Sequence, residues 1–522
     1  WTASMWRFYD ELASEQDNFL PPDNIQESPL HAVAHRTSPT NIGLMLLCTL
    51  AARDFGFIDT EHMCVRIEKA LCSIEKLEKW NGNLLNWYDT KTLKPLSPRF
   101  VSTVDSGNFA CCMSALSAGL KEYMSESSKI SQIIDRLEKL IDETDLSPFY
   151  NKRRKLFHIG YDLEADKLSG SYYDLLMSEA RMTSYFAIAS RQVSKKHWGY
   201  LGRTLAKQGG YTGPVSWTGT MFEYFMPQLL LPAYENSLGF EALRFCIHCQ
   251  RSRARAKGAP WGSSESAFYA FDSHYNYQYK AHGVQKLGLK RGLNQEYVVS
   301  PYSTFLTLPT IPQASIKNLL RLEEMGMTGR YGFYEAADFT KSRAGSGGYS
   351  IVRCYMAHHI GMSILASCNA LYDNIMQKRF MNSRNMLAAK ELLEEKIPAG
   401  AAVFDDIVEP EVPQKPGRMS GEAEIIDDIN IAEPKMHLLS NGQYTLAVTD
   451  SGCGVSFSQG ADIYRRSSDI LRRPLGLFAV VETKNGAFSI TRAPDYFSDA
   501  EYSAQFAASH AAFYASKYGL DA

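Results

Sequence analysis

The sequence predicts a mainly α-helical protein whose helices form a toroid, followed by a small β-rich segment at the C-terminus. Two observations predict this fold class. Helical periodicity dominates the first 400 residues, with aromatic and glycine-rich connections between the helical segments, and strand-like alternation replaces it near the C-terminus. About ten to twelve helices joined by such connections favour paired helices in a ring, with the functional residues on loops at one end.

Two helices have the clearest sequence signals. The segment "SPTNIGLMLLCTLAARDFG" has Ser38 as an N-cap, Pro39 at the first helical position and Gly56 at its end. Residues 130 to 141 place isoleucines and leucines on one face and charged residues on the other, which predicts an amphipathic helix. Further helices are predicted near residues 59–79, 105–122, 172–190, 218–231, 238–250, 312–325, 353–370 and 383–395, with a short hairpin at 155–170.

The domain organisation follows from changes in composition. Residues 1–397 form the helical domain, and residues 398–435, rich in Pro, Gly and acidic residues, predict an extended linker. Residues 436–522 alternate like strands and contain an Asn485-Gly486 dipeptide, which predicts a hairpin turn. The chain is therefore expected to contain a helical domain, a linker and a β-rich segment.

Charge and hydropathy exclude several kinds of partner. The 55 basic and 57 acidic residues nearly cancel, so long-range electrostatics favour neither nucleic acid nor an anionic membrane. The longest apolar run, at residues 42–52, is much shorter than the roughly 20 residues that cross a bilayer. We therefore expect no direct membrane insertion by this chain and a cytoplasmic location. Because the sequence opens without a methionine, we also expect it to be a soluble part of a larger multidomain protein, including one associated with a membrane.

The cysteines do not predict a metal or redox site. The ten cysteines include the Cys111-Cys112 pair and "CIHC" at 246–249, but no second ligand pair stands at a spacing suited to zinc. They are expected to be small buried hydrophobic residues in a reducing compartment. The sequence also has no Walker A loop, no dinucleotide fingerprint after a strand and no Gly-x-Ser-x-Gly elbow. We predict no cofactor and no metal.

Several segments combine Trp or Tyr with a carboxylate, often beside Gly or Ser. Aromatic faces stack on the apolar faces of sugar rings, and carboxylates accept hydrogen bonds from sugar hydroxyls, so the repeated combination favours a carbohydrate ligand. The segments are "NLLNWYDT" with "STVDSGNFA", "SYYDLLMSEARM", "VSWTGTMFEYFMP", "GAPWGSSESAFYAFDSHYNYQYKAHGV", and "GRYGFYEAADF" with "RCYMAHHIGM".

Glycoside chemistry requires two carboxyl groups, one that protonates the departing oxygen and one that acts as nucleophile or as base for water. The candidate carboxylates are Glu179, Glu223, Glu265 and Glu335, with Asp105, Asp174, Asp272 and Asp338 as hydroxyl ligands. For Glu223 and Glu335, structural or substrate-binding roles are favoured over catalysis. For Glu179 a surface ion pair remains the alternative.

Neighbouring charged residues refine these candidates. If residues 172–190 are helical, Asp174 and Glu179 do not share a face and have different roles. Arg181 could stabilise a carboxylate or hold a sugar hydroxyl. Adjacent histidines on a helix point about 100° apart, so His358 and His359 are interpreted as hydrogen-bond donors to substrate or to the catalytic carboxylates, or as core residues, rather than as metal ligands.

The longer strings closely resemble the glucoamylase-like cyclisation region of cyclic β-1,2-glucan synthases. They are "RTSPTNIGL", "NWYDTKTLKPLSPRFVSTVDSGN", "YYDLLMSEARM", "GPVSWTGTMFEYFMPQLLLPAYENS", "PWGSSESAFYAFDSHYNYQYKAHGVQKLGLKRGL", "VVSPYSTFLTL", "GRYGFYEAADF" and "CYMAHHIGMS", in order from about residue 30 to 395. The resemblance implies an (α/α)6 barrel that acts on β-1,2-glucan. The tail is similar to the start of the family's phosphorylase-like β-sandwich, although "YRRSSD" at 464–469 departs from that pattern.

The resemblance also implies roles for individual residues. Glu179 corresponds to the general acid/base and Glu265 to the nucleophile of a retaining mechanism. In that mechanism a hydroxyl of the same glucan displaces the nucleophile from the glycosyl-enzyme and closes a ring. Water would instead give hydrolysis, and the aromatic residues near Trp217 and Trp261 influence that partition. The predicted substrate-binding residues are Asp105, Asp174, Arg181, Trp217, Glu223, Trp261, Tyr269, Asp272, Tyr334, Glu335, His358 and His359.

Two other functions remain open at this point. The same site could belong to an endo-β-1,2-glucanase, which hydrolyses the glucan, or the chain could be a non-catalytic glucan-binding domain of a larger synthase. The presence of both glutamates favours an enzyme.

Overall fold

A computed structural model describes residues 1–272, 274–345, 347–397, 403–404, 423–427, 434–458, 461–463 and 474–522. The chain divides into two compact units. One unit comprises Trp1–Tyr269 with Tyr279–Val412, and the other comprises Ala270–Gln278 with Pro413–Ala522. The predicted boundaries at 397 and 435 stay a prediction, and most of the predicted linker lies outside the described residues.

The helices are α1 (Thr2–Leu12), α2 (Pro39–Asp54), α3 (Thr60–Ile74), α4 (Thr103–Leu120), α5 (Lys129–Glu143), α6 (Arg181–Ala189), α7 (Lys196–Tyr200), α8 (Met221–Phe225), α9 (Leu238–Lys257), α10 (Pro301–Phe305), α11 (Pro312–Glu324), α12 (Ala357–Leu371), α13 (Ile375–Met381) and α14 (Arg384–Ala388). Helix α4 packs against α2, α5, α6 and α13, and α12 packs against α1, α2 and α10. Gly107 permits a close approach of α4 to α6, because a Cβ there would lie 2.0 Å from Thr183 Oγ1.

Short strands line the connections between these helices. They are β1 (Asn24–Gln26), β2 (Ala32–Ala34), β3 (Arg36–Thr37), β4 (Lys79–Trp80), β5 (Asn83–Leu84), β6 (Tyr88–Asp89), β7 (Phe100–Ser102), β8 (Tyr150–Asn151), β9 (Leu156–His158), β10 (Gly160–Asp162), β11 (Lys167–Leu168), β12 (Tyr172–Tyr173), β13 (Leu205–Gln208), β14 (Tyr211–Pro214), β15 (Glu265–Phe271), β16 (Tyr277–Ala281), β17 (Val298–Val299), β18 (Thr328–Gly329), β19 (Gly332–Phe333), β20 (Ala336–Asp338), β21 (Ser350–Val352), β22 (Cys354–Met356) and β23 (Val403–Phe404).

The two helices with the clearest sequence signals are confirmed. In α2, Ser38 is the N-cap, its Oγ accepts a hydrogen bond from the Asn41 backbone N–H, and Pro39 is the first helical residue. In α5, five aliphatic side chains are buried on one face. The predicted hairpin at 155–170 is present as the antiparallel strands β10 and β11, and β10 also pairs with β7.

Two predicted helices begin later than expected. The helix predicted at 172–190 is wrong over its first half, because Tyr172 and Tyr173 pair with β9 and helix α6 begins only at Arg181. The helix predicted at 353–370 begins as β22, which pairs with β1, and becomes helical at Ala357. In both places pairing with a strand distant in sequence overrides the local helical pattern.

The C-terminal unit is β-rich, as predicted. Its strands are β24 (Glu424–Ile426), β25 (Met436–Ser440), β26 (Tyr444–Thr449), β27 (Gly454–Ser458), β28 (Ala461–Asp462), β29 (Val480–Thr483), β30 (Gly486–Ser489), β31 (Glu501–Ala507), β32 (His510–Lys517) and β33 (Leu520–Asp521). They form sheets in the orders β24-β31-β32-β33, β25-β26-β27-β28 and β29-β30. Thr483 pairs with Gly486, so the turn is Lys484-Asn485, one residue before the predicted dipeptide. Residues 464–469 lie outside the described residues.

Two further observations bear on the sequence predictions. All ten cysteines are free thiols, and every one except Cys72 is buried, as expected for small core residues. Within the described ranges, no helix combines the length and the apolar character required to cross a membrane.

Candidate active site

Candidate functional side chains lie at the N-terminal ends of alternate helices. Thr40 and Asp105 stand in the first turns of α2 and α4, Glu179 lies just before α6, and Glu223 lies in α8. Tyr302, His358 and His359 stand in the first turns of α10 and α12 in the same way. The partial positive charge of a helix N-terminus stabilises nearby carboxylates, so these ends are suited to hold acidic groups.

Glu265 is the first residue of β15, and the preceding backbone is fixed tightly. Gly262 has a φ of +127°, and a Cβ there would lie 2.6 Å from Ser303 Oγ, so glycine is required at this position. The side chain of Gln250 binds both the N–H and the carbonyl of Ser263, at 2.9 and 2.8 Å. The Tyr302 hydroxyl lies 2.9 Å from the Glu265 carbonyl oxygen. Glu265 therefore begins its strand at a well-defined position.

Glu179 lies in the irregular turn between β12 and α6. The Ser178 hydroxyl donates to Glu179 Oε2 at 3.2 Å. Burial, followed by the charge of Glu223, raises the pKa of Glu179 to about 7, and the charge of Asp105 contributes in the same direction. A carboxyl group with this pKa can both give and take a proton near neutral pH, which suits a general acid/base.

Glu265 interacts electrostatically with the same group of carboxylates. Burial, followed by the charges of Glu179 and Glu223, raises its pKa to about 8, while Lys290 and a hydrogen bond from Tyr279 oppose this rise. Neighbouring carboxyl groups do not both ionise readily, so Glu179 and Glu265 together retain a proton near neutral pH. A nucleophilic role for Glu265 requires that this proton reside on Glu179.

Glu223 stabilises the turn that precedes α8. It forms a capping box with Thr220 at the start of α8. Its carboxylate also accepts hydrogen bonds from the Ser216 hydroxyl at 2.8 Å and from the Thr218 hydroxyl at 2.6 Å. All the donors come from residues 216–220, so this buried carboxylate holds the turn before α8 together.

Asp105 is half-buried and interacts electrostatically with Glu179. Thr40 donates its hydroxyl hydrogen to Asp105 Oδ1 at 2.5 Å, and the Asn86 side-chain amide, oriented to satisfy its neighbours, donates to Asp105 Oδ2 at 3.2 Å. Burial raises the pKa of Asp105. Tyr173, whose pKa is raised by burial and then by Glu179, Asp105 and Glu265, lies near the same three carboxylates.

Glu335 and the two histidines form a second cluster next to Glu265. His359 Nδ1 lies 2.9 Å from both carboxylate oxygens of Glu335, and the Ala267 backbone N–H donates to Glu335 Oε1 at 3.2 Å. Burial raises the pKa of Glu335 to about 8 and lowers that of His359 well below its ordinary value. Burial and the neighbouring His359 lower the pKa of His358 to about 3. Both imidazoles are therefore neutral at pH 7.

Trp217 and Asp174 form an exposed pair. Trp217 is 50% exposed, and its indole Nε1–H donates to Asp174 Oδ1 at 2.8 Å. Tyr269, on β15, is 38% exposed. Exposed rings of this kind offer apolar faces to a sugar, so the predicted binding roles of these three residues stay predictions.

Other predicted binding residues make structural contacts. Trp261 and Tyr334 are packed in the core, and the Tyr334 hydroxyl donates to Glu27 at 2.8 Å. Arg181 is buried and donates to the Tyr224 carbonyl at 3.2 Å. Asp272 accepts backbone N–H groups of the β15–β16 turn, and fully buried Asp338 pairs with Arg343 at 2.6 Å. The predicted substrate-binding roles of these residues stay predictions.

Sequence reasoning did not select some residues that surround the site. Tyr173 lies within an aromatic segment that also contains carboxylates, so its composition was a usable signal, whereas Tyr302 lies only in a string that resembles the family. Asp23 is buried, forms an ion pair with Arg36 at 3.0 Å, and its charge acts on Glu335 and His358. Nothing in the local sequence around Asp23 distinguishes it from an ordinary turn residue.

The chain is similar to carbohydrate-active enzymes over most of its length. Residues 171–384 match the Glycoamylase family, described as "Putative glucoamylase", and residues 422–522 match the glycosyl hydrolase 94 supersandwich domain. Cyclic beta-(1,2)-glucan synthase NdvB of Rhizobium meliloti (strain 1021) is 31% identical over 91% of this chain. The resemblance and the prediction of a glycoside hydrolase-type enzyme are thus confirmed. The chain spans about a fifth of the length of that relative (21%).

Solved structures share the fold of about three quarters of the chain. An endo-β-1,2-glucanase from Chitinophaga pinensis is 15% identical, with a TM-score of 0.60 over 75% of this chain and 96% of its own. An endo-β-1,2-glucanase from Talaromyces funiculosus, solved with sophorose, is 13% identical, with a TM-score of 0.62 over 77% of this chain and 94% of its own. At these identities the likeness establishes a common, mainly helical fold.

Proposed function

We propose that this chain is a retaining transglycosylase that cleaves β-1,2-glucan and closes the resulting chain into a ring. Glu265 is the nucleophile and Glu179 is the general acid/base. The observation that supports the proposal is that these two half-buried carboxyl groups interact electrostatically and that each has a pKa raised towards neutrality. The similarity to a cyclic β-1,2-glucan synthase supports the choice of substrate.

An (α/α)6 barrel is the architecture that we propose for the helical unit. Its inner helices would be α2, α4, α6, α8, α10 and α12, each of which has a residue of the site at its N-terminal end. The contacts of α12 with α2 and α10, of α4 with α2 and α6, and of α8 with α10 follow the order expected around such a ring. We also propose the boundaries 1–397, 398–435 and 436–522 for the domains of the chain.

The reaction proceeds in two balanced steps. Glu265 attacks the anomeric carbon as Glu179 gives its proton to the departing glycosidic oxygen, and a glycosyl-enzyme ester forms. Glu179 then removes a proton from an incoming sugar hydroxyl, which attacks the same carbon and releases Glu265. If the hydroxyl belongs to the far end of the same glucan, the product is cyclic.

Hydrolysis by the same two residues is the second candidate. The fold shared with two endo-β-1,2-glucanases favours it. Water and a sugar hydroxyl compete for the glycosyl-enzyme, and the outcome depends on how firmly the acceptor is held. Half-exposed Trp217, fixed by its hydrogen bond to Asp174, is suited to hold an acceptor sugar by stacking.

The products distinguish the candidates. The chain is incubated with linear β-1,2-glucan, and the products are separated and weighed by mass spectrometry. Cyclisation gives products lighter by one water than linear glucans of equal length, whereas hydrolysis gives shorter linear chains. Unchanged glucan, with the wild-type chain shown to be folded by circular dichroism, would overturn both and favour a binding domain of a larger protein.

A further inference from the structure

One edge of the strand that begins with Glu265 is bound by side chains. Among the described residues β15 pairs with one strand, β16, and the His282 N–H donates to the Ser264 carbonyl on that side at 3.1 Å. Backbone groups of alternate residues in a strand point to the same edge, so those of Glu265, Ala267 and Tyr269 point away from β16. We call this the outer edge of β15.

Three side chains occupy the position of a neighbouring strand at the outer edge. The Tyr302 hydroxyl donates to the carbonyl oxygen of the nucleophile at 2.9 Å. Glu335 Oε1 accepts the Ala267 N–H at 3.2 Å, and Asp338 Oδ2 accepts the Tyr269 N–H at 3.1 Å. A carboxylate oxygen can replace the carbonyl oxygen that a partner strand would offer, because both accept hydrogen bonds from backbone N–H groups.

The binding groups are themselves fixed. Glu335 is 4% exposed, and Asp338 is fully buried. His359 Nδ1 lies 2.9 Å from both side-chain oxygens of Glu335, and the Tyr302 ring stacks on the His359 imidazole with centroids 3.6 Å apart and planes 7° apart. Arg343 Nε donates to Asp338 Oδ2 at 2.6 Å. Each side chain at the outer edge therefore has a second contact that sets its position.

We propose that Tyr302 and Glu335, which bind the outer edge nearest to the nucleophile, are positioning residues. They fix the backbone of β15, and this backbone fixes the place from which the Glu265 carboxyl group attacks the anomeric carbon. Glu335 then acts without a contact to substrate, although its residue type also suits a sugar ligand. The proposal rests on the proposed function, because it concerns the residue that forms the glycosyl-enzyme.

The position of Glu265 in its strand explains why such support matters. It is the first residue of a strand in a two-stranded sheet, and an isolated pair of strands is only marginally stable in water. A displacement of a reacting group by about 1 Å can lower a rate about 10²-fold. Loss of an outer-edge bond should therefore slow the attack of the nucleophile and leave substrate binding nearly unchanged.

The test begins with the wild-type chain. Its turnover of linear β-1,2-glucan is measured together with release of fluoride from a β-1,2-linked diglucosyl fluoride, whose leaving group needs no proton from Glu179. Both reactions need the nucleophile, so loss of a residue that positions Glu265 should lower kcat for both by the same factor. A folded wild-type chain that acts on neither substrate would overturn the proposed function, and this proposal with it.

Substitution of Glu335 separates support of the strand from contact with substrate. Glu335→Leu removes the acceptor for Ala267 and should lower kcat about 10²-fold for both substrates, with KM within about twofold. Glu335→Gln keeps an oxygen for the Ala267 N–H, and its amide can donate to neutral His359, so it should recover activity to within about fivefold of the wild type. If Glu335→Gln is as impaired as Glu335→Leu, or if Glu335→Leu raises KM and preserves kcat, the proposal is overturned.

A matched control separates positioning from general destabilisation. Asn369, towards the other end of α12 from His359, is buried and likewise binds backbone groups, the Leu229 carbonyl at 3.0 Å and the Met376 N–H at 2.9 Å. Asn369→Leu should lower Tm as Glu335→Leu does, yet keep the wild-type kcat at a temperature where circular dichroism shows both variants to be folded. Equal losses of kcat in the two variants would assign the effect of Glu335 to stability alone and overturn the proposal.

Tyr302→Phe tests the same support with a milder change. It keeps the ring that stacks on His359 and removes the hydroxyl at the Glu265 carbonyl, so it should lower kcat about tenfold for both substrates and leave KM within about twofold. Tyr349→Phe, which removes a hydroxyl that donates to the Met325 carbonyl, should keep the wild-type kcat. A wild-type kcat in Tyr302→Phe would overturn the proposal.

Discussion

After burial, the charge of Glu179 is the largest cause of the raised pKa of Glu265, and the two carboxyl groups therefore titrate as interacting neighbours. This relationship joins a turn before a helix to the first residue of a strand 86 positions away in the chain. It places the two glutamates that the sequence singles out in one electrostatic environment.

Replacement of either glutamate should stop glucan turnover, but the two variants should differ with an activated substrate. Glu265→Gln removes the nucleophile and should lower kcat on the order of 10⁴-fold or more with both glucan and a β-1,2-linked diglucosyl fluoride, whose fluoride leaves without a proton. Glu179→Gln should lower glucan turnover roughly 10² to 10⁴-fold, yet still release fluoride in a first-turnover burst, since fluoride needs no acid. If Glu179→Gln loses both activities equally while it remains folded, Glu179 is not the general acid.

Stability should fall as the pH rises through the neutral range. Glu179, Glu265 and Glu335 have pKa values raised from 4.5 to about 7, 8 and 8, so the native protein holds protons that the unfolded chain has lost. Between about pH 5 and pH 8 the unfolded state binds fewer protons, and the free energy of unfolding therefore decreases with pH.

Glu265→Gln should reduce the fall in the free energy of unfolding at high pH. Its Tm, measured by calorimetry, should exceed that of the wild type at pH 8.5 by on the order of 2 °C, and the difference should shrink at pH 5.5. Identical dependence of Tm on pH in the two proteins would contradict a raised pKa at Glu265.

Glu223→Gln should destabilise the protein, although glutamine and glutamate side chains have nearly the same shape. Every hydrogen bond to the Glu223 side chain is donated by residues 216–220, and a glutamine amide would turn an NH2 group towards some of those donors. We expect a loss of about 2 to 4 kcal/mol in the free energy of unfolding, measured by denaturant titration. Glu241→Gln, which removes an exposed ion pair with Arg244, should change it by less than about 0.5 kcal/mol.

The same substitution should change the pH profile of glucan turnover. The charge of Glu223 raises the pKa of Glu179, so its removal should shift the alkaline limb of kcat/KM to lower pH. An unchanged alkaline limb in a folded Glu223→Gln protein would show that Glu179 is not the acid whose ionisation limits the rate.

Trp217→Ala should weaken binding of glucan more than it slows chemistry. The half-exposed ring is fixed by its hydrogen bond to Asp174, and loss of a stacking surface should raise KM about 3- to 10-fold. If Trp217 holds the acceptor, the share of linear hydrolysis products should also rise. Trp217→Phe, which keeps a ring, should lie between the wild type and Trp217→Ala, and equal kinetics in all three would exclude a substrate contact.

The sequence by itself determined the helical class, the β-rich C-terminus and the aromatic and acidic segments of the site. Those features depend on periodicity, capping and composition, which act within a few residues, as at Ser38 and along α5. The long strings that resemble a known family also selected Glu179 and Glu265 before any geometry was available.

Only the tertiary structure decided which polar groups face one another. Tyr172 and Tyr173 join a distant strand, which places Glu179 in a turn where the sequence predicts a helix. Asp272 accepts a nearby backbone N–H group and Asp338 pairs with the Arg343 guanidinium, contacts that the local sequence does not reveal. Likewise, the contact between Glu335 and His359 joins residues from separate elements. Burial, hydrogen-bond partners and pKa shifts arise from contacts between segments far apart in the chain, and local sequence patterns carry no record of those contacts.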